Sequence, residues 1–219
     1  MFHSPGAGRA GTHSAMSRPL LVVLSLLALG CGARDRTALT PWDDALRAEL
    51  LRRVAADQAE RNRLIVAMQA GSAPDTSLFT ELRAIDSSNA LWLREAVARH
   101  GWPDRDVVGE DGARAAFLLV QHADHDTAFQ AAMLPELDAA FRRGQATGQS
   151  VALLTDRLAV ARHQPQVFGS QTTMTDGQIT FAPITDSAGV DARRARMGLP
   201  PLNEYRRVLD SVYGPKRPP

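Results

Sequence analysis

Apolar residues recur at helical spacing through most of this chain, and this periodicity restricts its fold more than any other feature. From Pro41 to Arg162 only short polar, glycine or proline segments interrupt the pattern, which is typical of consecutive helices. The predicted helices cover 41–70, 76–86, 89–100, 111–122, 127–143, with an interruption or kink at Pro135, and 149–162. A last helical pair is predicted over 190–197 and 201–212.

The periodicity changes between Gln166 and Pro183. Here β-prone segments flank Thr175-Asp176-Gly177, and Asp-Gly between such segments indicates a hairpin turn. With 219 residues, the chain is long enough for one domain with a sizeable core. We therefore predict a mainly α (α+β) fold, in which a single helical domain over 41–213 carries one small β-hairpin near residues 166–183. A disordered tail is predicted over 214–219.

The first 30 residues have the composition of an export signal. They contain no Asp or Glu, and Arg18 precedes an apolar run from Leu20 to Leu29 that is too short to span a bilayer. We predict a signal peptide over 1–30. Translation from Met16 would give a more compact signal and is the alternative start.

The single cysteine, Cys31, directly follows this segment. The sequence Leu27-Ala28-Leu29-Gly30-Cys31 resembles a bacterial lipobox, although the position three before the cysteine holds Ala28 instead of leucine. We predict lipidation of Cys31, a lipid-anchored tether over 31–40, and export to the cell envelope with the membrane face left open. A plain signal peptide with an incidental cysteine is the alternative.

The charge balance argues against some classes of partner. The chain has 25 basic and 24 acidic residues, and removal of the signal would take away Arg9 and Arg18 and leave a net charge of −1. Such a balance gives no electrostatic reason to expect nucleic acid as a partner. One cysteine allows neither an intramolecular disulfide nor an all-cysteine zinc site.

Three predicted helices carry charged residues where apolar residues are expected. These residues are Asp57 and Arg61 in the first helix, His122 and Asp124 at the end of the helix over 111–122, and Asp156 and Arg157 in the helix over 149–162. Because an unpaired buried charge costs several kcal/mol, we expect the six side chains to form one polar cluster. Such a cluster is either a functional site or a structural network that sets the helix register.

A His–Asp pair in this cluster could carry acid–base chemistry. We assign hypothetical catalytic roles to His122 as acid or base, to Asp156 (or Asp124) as its orienting partner, and to Arg157 as a donor to developing negative charge. The predicted ligand-binding residues are Asp57, Arg61, Gln121, Asp124, Gln166, Gln171, Arg193 and Arg194.

Other chemistry has weaker support. The densest set of metal-capable side chains is His122, His125 and Asp126, but there is no His-Glu-x-x-His pattern, and we predict neither a metal nor another cofactor. A metal-dependent enzyme, with His163 or Asp156 completing the ligands, is a third hypothesis. The chain has no Gly-x-Ser-x-Gly elbow, phosphate loop or dinucleotide fingerprint.

Several short segments of the chain match the motifs of a known family in order and spacing. They are Asp57-Gln58 with Arg61, Gly101-Trp102-Pro103, Gln121-His122-Ala123-Asp124, Thr155-Asp156-Arg157, Gln166 to Gln171, and Val190-Asp191 with Arg193-Arg194. In these the chain resembles the bacterial family called domain of unknown function 6624, over about residues 48–207. The resemblance implies no activity, but its motif positions coincide with the misplaced polar residues. Ala152 and Phe168 depart from the family's tyrosines, so no phenol hydroxyl is implied there.

The sequence therefore predicts an exported bacterial lipoprotein with a partly buried His/Asp/Arg pocket that binds, and in one version hydrolyses, a small polar or anionic envelope ligand. Whether the chain is an enzyme stays open at this point. The alternative is a non-catalytic cell-envelope interaction module, in which the cluster is purely structural and an envelope protein binds elsewhere, for example around Trp102. In both cases the membrane is a partner through Cys31.

Overall fold

A computed structural model describes residues 41–69, 76–175 and 178–213. The predicted signal peptide, the tether with Cys31, the Asp176-Gly177 turn and the C-terminal tail lie outside these residues. Within the described ranges the chain forms seven α-helices and a two-stranded hairpin. The prediction of a mainly α fold with one small hairpin is confirmed.

The elements follow in the order α1 (Pro41–Gln69), α2 (Thr76–His100), α3 (Arg105–Gln121), α4 (Thr127–Arg142), α5 (Gly148–Ala161), β1 (Thr172–Thr175), β2 (Gln178–Phe181), a 3-10 turn (Ser187–Gly189), α6 (Val190–Arg196) and α7 (Leu202–Tyr213). The two strands are antiparallel, with Thr172 opposite Phe181. None of the described helices is both long and apolar enough to cross a membrane.

Several predicted boundaries are wrong. The segments 76–86 and 89–100 form one helix, because the buried Leu82, Ala90 and Leu93 continue a single apolar face through Ser88. Helix α3 begins at Arg105, and Gly109 at φ 75° and ψ 170° joins two helical pieces across a kink. The predicted helix from Asp111 corresponds to the second piece, and the short first piece was not predicted.

Two further differences concern a proline and the first strand. Helix α4 runs from Thr127 to Arg142 as one element with Pro135 inside it, so the proline does not divide the helix in two. Strand β1 begins at Thr172 and not at Gln166, because the preceding residues form an irregular loop. The backbone groups of that loop are bonded to side chains from other elements, as described below.

Helix α3 lies at the centre of the helical core and packs against α1, α2 and α4. It is apolar on most of its surface, which is typical of a central helix. The largest fully buried apolar side chains of the core are Leu50, Leu93, Leu119, Phe129, Leu137 and Leu154. Trp102 is also buried, so its own side chain offers little surface to a partner.

The helix directions decide which polar residues meet. Helix α1 runs parallel to α3, since Arg47 bonds Asp111 near the start of both helices and Asp57 bonds His122 further along. It runs antiparallel to α2, since Arg53 bonds Asn89 while the later residue Arg61 bonds the earlier Asp86. As a result, the middle of α1, the middle of α2 and the C-terminal end of α3 come together.

Candidate functional site

A buried carboxylate on α1 forms the centre of the candidate site. Asp57 is 0% exposed and accepts hydrogen bonds from His122 Nδ1 at 2.8 Å, Arg61 Nε at 3.0 Å and Gln58 Nε2 at 2.8 Å. Asp57 and Arg61 are one helical turn apart, so α1 alone brings this pair together. The packing of α3 against α1 adds His122.

Arg61 connects this group to α2. Its Nη2 donates to Asp86 Oδ1 at 2.7 Å, while its Nε faces Asp57. The side chains of Arg61, Asp86 and His122 are 28%, 12% and 14% exposed, so the group reaches solvent. We call the four residues Asp57, Arg61, Asp86 and His122 the His122 site.

Asp86 was absent from the sequence-based candidates. Its signal in the sequence is weak, because it comes at the end of what looked like a short helix and has no helical partner of its own. Only the packing of α2 against α1 gives it Arg61 as a partner. The other missed contact, from Gln58 to Asp57, could have been suspected from its place in the Asp57-Gln58 motif.

The neighbours of His122 Nδ1 determine which ring nitrogen carries the proton. Arg61 Nε is 3.1 Å from Nδ1, but it has a single N–H, which also faces Asp57. The ionised Asp57 can only accept, so Nδ1 must donate its proton to Asp57 Oδ2. In the neutral imidazole Nε2 then holds the lone pair, and no described residue is hydrogen-bonded to it.

The two carboxyl groups of the site are shifted in opposite directions. Burial alone would raise the pKa of Asp57, but the hydrogen bond and charge of His122, with Gln58 and Arg61, outweigh burial and hold this pKa below its ordinary value. Burial raises the pKa of Asp86, and the Asp57 charge raises it further, which the attraction of Arg61 only partly offsets. Asp57 therefore stays ionised, whereas Asp86 holds a proton more readily.

Asp124 and Arg157 form a separate pair. Arg157 Nη1 donates to Asp124 Oδ1 at 2.5 Å, and Gln130 Nε2 donates to the same oxygen at 3.3 Å. The buried Gln130 Oε1 and Arg157 Nε have no partner among the described residues. Within the described ranges no hydrogen bond joins Arg157 to His122, so the geometry gives no support to a donor role for Arg157 at that histidine.

Asp156 organises a loop and is not the orienting partner of His122. Its buried carboxylate accepts hydrogen bonds from the backbone N–H groups of Val167 at 2.7 Å, Phe168 at 3.0 Å and Ser170 at 2.9 Å. The assignment of Asp156 as partner is therefore wrong, and Asp57 has that position. Sequence periodicity could not distinguish the two, because both are aspartates on predicted buried faces.

Two glutamines predicted to bind a ligand stabilise the same loop. The Gln166 side chain is buried, donates to the carbonyl oxygens of Gln171 and Ala182, and accepts from the Gln171 N–H. The Gln171 side-chain amide donates to Ser170 Oγ at 3.1 Å. Both side chains thus have partners inside the loop region and not an open binding surface.

Arg193 and Arg194 hold this loop from the side of α6. Arg193 Nε donates to the Val167 carbonyl at 2.9 Å, and Arg194 Nη1 donates to the Phe168 carbonyl at 2.7 Å. Arg194 is buried and stacks against the Tyr205 ring, and its burial lowers the pKa of its guanidinium. The two arginines position backbone and are not aimed into the His122 site.

Gln121 belongs to another surface. It lines a cavity of about 440 Å³ beside α3, and His122 is not among the lining residues of this cavity. Its lining combines apolar side chains, such as Phe117, Leu118 and Leu153, with polar and charged ones, which include Arg114, Gln145, Gln149 and Ser150. The six charged residues expected in one cluster are therefore divided among the His122 site, the Asp124–Arg157 pair and the loop bound by Asp156.

The side chains considered for a metal have separate partners. His125 Nε2 lies 3.0 Å from Ser87 Oγ, and Asp126 accepts from the Phe129 N–H as the N-cap of α4. In the part of the chain that the structure describes, no group of three or more His, Cys, Asp or Glu side chains is placed to hold a metal ion.

Comparison with known proteins identifies a family and no function. No curated protein and no solved structure matches the chain. A family model with the description "family of unknown function" matches residues 44–217, a range that includes all four residues of the His122 site. The resemblance found in the sequence is confirmed. The chain belongs to this family of unknown function, DUF6624.

Proposed function

We propose that this protein is a hydrolase in which His122 acts as the general base for a water molecule. The observation that carries the proposal is the 2.8 Å hydrogen bond from His122 Nδ1 to the fully buried Asp57, which leaves Nε2 as the proton acceptor. A buried carboxylate at Nδ1 holds the ring in one tautomer and stabilises the imidazolium that forms when Nε2 takes a proton.

The charges favour a neutral polar substrate over an anionic one. Arg61 already bonds two carboxyl groups, Asp57 through Nε and Asp86 through Nη2. Its positive charge is balanced by the ionised Asp57, so the site has no excess positive charge to attract a phosphate or carboxylate, whereas a neutral ester or amide needs none. Arg61 Nη1, which has no partner among the described residues, is the candidate donor to the oxyanion that forms on a carbonyl oxygen.

The test is hydrolysis of p-nitrophenyl acetate by the wild type and by His122→Gln. We expect the variant to lose about 100-fold or more in kcat/KM, which is the usual contribution of a general base. His100→Gln, on the exposed last turn of α2, is the matched control and should keep the wild-type rate. Equal rates for His122→Gln and the wild type would reject the proposal, and rapid hydrolysis of p-nitrophenyl phosphate would favour an anionic substrate.

The proposal includes a location in the cell envelope, with a lipid on Cys31. The acid-free first 30 residues, the apolar run from Leu20 to Leu29 and the position of the only cysteine support it. Growth with labelled palmitate should label the wild type and leave Cys31→Ala unlabelled. An unlabelled wild-type protein that is still exported would instead support a plain signal peptide.

A second candidate function is non-catalytic binding, and the cavity on α3 favours it. Its volume of about 440 Å³ falls within the range of small-molecule sites, about 300–1,000 Å³. A lining of apolar side chains together with amides, hydroxyls and charged groups suits a ligand that has both an apolar part and polar groups. Leu118→Trp should fill this space and abolish fragment binding detected by NMR at Gln121 and Gln149, while His122→Gln should not.

A further inference from the structure

One carboxyl oxygen of the His122 site has no partner within the described residues. Asp86 is mostly buried, and its Oδ1 accepts from Arg61 Nη2 at 2.7 Å, whereas its Oδ2 is not hydrogen-bonded. The planar guanidinium of Arg61 also contacts His122 through Nε, so Asp86 Oδ1 lies at most about 8 Å from His122 Nδ1. A small substrate could therefore contact both Asp86 and His122.

We propose that Asp86 is the general acid of this site and that the substrate is a carbonyl compound with a basic leaving group, an alkyl ester or an amide. This inference rests on the proposed function of His122 as the general base. It goes beyond that function in two ways. It assigns to Asp86 the protonation of the leaving group, and it predicts that this leaving group is basic.

Burial and the charge of Asp57 favour the neutral form of Asp86, and they outweigh Arg61 and His122, which favour its charged form. Asp57 and Arg61 face Asp86 from α1, and His122 faces it from α3. The positive charge of Arg61 is already matched by the ionised Asp57, so a second carboxylate would be an excess negative charge at a mostly buried position. The raised pKa of Asp86, which burial and Asp57 cause, agrees with this arrangement. Two neighbouring carboxyls with opposite shifts are the usual pattern of an ionised partner and a proton donor.

The proton balance of the reaction is complete without another reagent. Water adds its oxygen to the carbonyl carbon and gives one proton to His122 Nε2. The bond from this carbon to the leaving oxygen or nitrogen then breaks, and Asp86 Oδ2 transfers its proton to the leaving atom. The imidazolium finally returns a proton to the Asp86 carboxylate through solvent, and the products are a carboxylic acid and an alcohol or amine.

A comparison of two leaving groups tests the role of Asp86. The full chain, wild type and Asp86→Asn, is assayed with p-nitrophenyl acetate, which needs no protonation of its leaving group, and with benzyl acetate, which does. Asparagine keeps the acceptor for Arg61 but has no acidic proton. We expect Asp86→Asn to lose about 100-fold in kcat/KM on benzyl acetate, and the loss on p-nitrophenyl acetate to be smaller by about tenfold or more. Asp138→Asn, in a surface pair with Arg142, is the control and should change neither rate.

The outcomes separate this inference from the proposed function. Equal losses on the two esters, or no loss on either, would overturn the role of Asp86 while His122→Gln still tests the general base. Insensitivity of both rates to His122→Gln would reject both. An independent measurement on the wild type is the ¹³C NMR titration of the Asp86 carboxyl, which should occur above the ordinary aspartate range. Titration at or below that range would also overturn the inference.

Discussion

Asp57 is a fully buried carboxylate whose hydrogen-bond partners come from two helices. A charge at such a position costs several kcal/mol unless its neighbours donate hydrogen bonds and positive charge, which Arg61, His122 and Gln58 do here. The same contacts that make the charge tolerable also orient the imidazole. The stability of the fold and the chemistry of the site therefore depend on one side chain.

Replacement of Asp57 by asparagine should be strongly destabilising. The new amide would present an N–H₂ group toward Arg61 or His122 and would leave the guanidinium without its buried counter-charge. We expect a loss of about 3–5 kcal/mol in the free energy of unfolding, measured with urea. Asp111→Asn breaks the exposed pair with Arg47 and should cost much less, because solvent screens this pair. Similar losses for the two variants would contradict this account of Asp57.

We expect Asp156 to have a structural role, so its replacement should loosen the loop that it binds and leave the His122 site unaffected. In Asp156→Asn the amide group would face backbone N–H donors of Val167, Phe168 and Ser170, so at least one of them loses its acceptor. Because hydrogen bonds to a charged group contribute about 1.5–3 kcal/mol each, we expect a loss of roughly 3 kcal/mol. Amide hydrogen exchange should accelerate in 167–170 and not at His122.

At the scale of elements, the start of α5 lies very close to the backbone of Met197, the residue that directly follows α6. A Cβ atom on Gly148 would lie 2.8 Å from the Met197 Cα and closer still to the Met197 carbonyl oxygen, so only glycine fits at the start of α5. This contact places the C-cap of α6 against the start of α5, and α6 carries the arginines that hold the loop bound by Asp156. The close approach thus supports the arrangement of the whole C-terminal region.

Gly148→Ala should accordingly be destabilising even though alanine has the higher helix propensity. The backbone of Met197 would have to move away, and such overpacking typically costs about 1–3 kcal/mol. Gln149→Ala, at the next and exposed position of the same helix, should change the free energy of unfolding by less than about 0.5 kcal/mol. A Gly148→Ala protein as stable as the wild type would show that α6 can shift freely.

At the scale of the whole molecule, the two shifted carboxyl groups predict opposite dependences of stability on pH. The folded pKa of Asp57 is lowered, so its stabilisation is present above the unfolded pKa of about 3.9 and is lost as pH falls through the folded value. The folded pKa of Asp86 is raised, so its contribution is fully present below the unfolded pKa and is lost as pH rises through the folded value.

Measurement of unfolding free energies between about pH 3.5 and 7 should separate the two groups. As pH rises, Asp57→Asn should become less stable relative to the wild type, and Asp86→Asn should become more stable relative to it. The Asp138→Asn protein, which loses a surface carboxylate paired with Arg142, serves as a control for the general effect of losing one surface carboxylate. Parallel curves for Asp57→Asn and Asp86→Asn would contradict the opposite directions of the two pKa shifts.

Local regularities in the sequence were sufficient to predict most of the helices and the existence of the hairpin. Helical periodicity is a property of a continuous segment, so the amphipathic pattern, Asp126 as N-cap and the break after His100 could be read without knowing what packs where. The same logic singled out Asp57, Arg61 and His122, because a charge on an apolar face is visible within one helix. It could not detect the kink at Gly109, since only the observed backbone angles reveal a break inside α3.

The partners of these charged residues were decided by the tertiary structure. Which carboxylate meets His122 depends on the parallel register of α1 and α3, and the inclusion of Asp86 depends on the packing of α2 against α1. Periodicity identifies the buried face of a helix. It does not tell which neighbouring helix this face contacts, or at which position along that neighbour. Asp57 and Asp156 therefore looked equivalent in the sequence, and only the packed helices bond Asp57 to the histidine and Asp156 to the backbone of a loop.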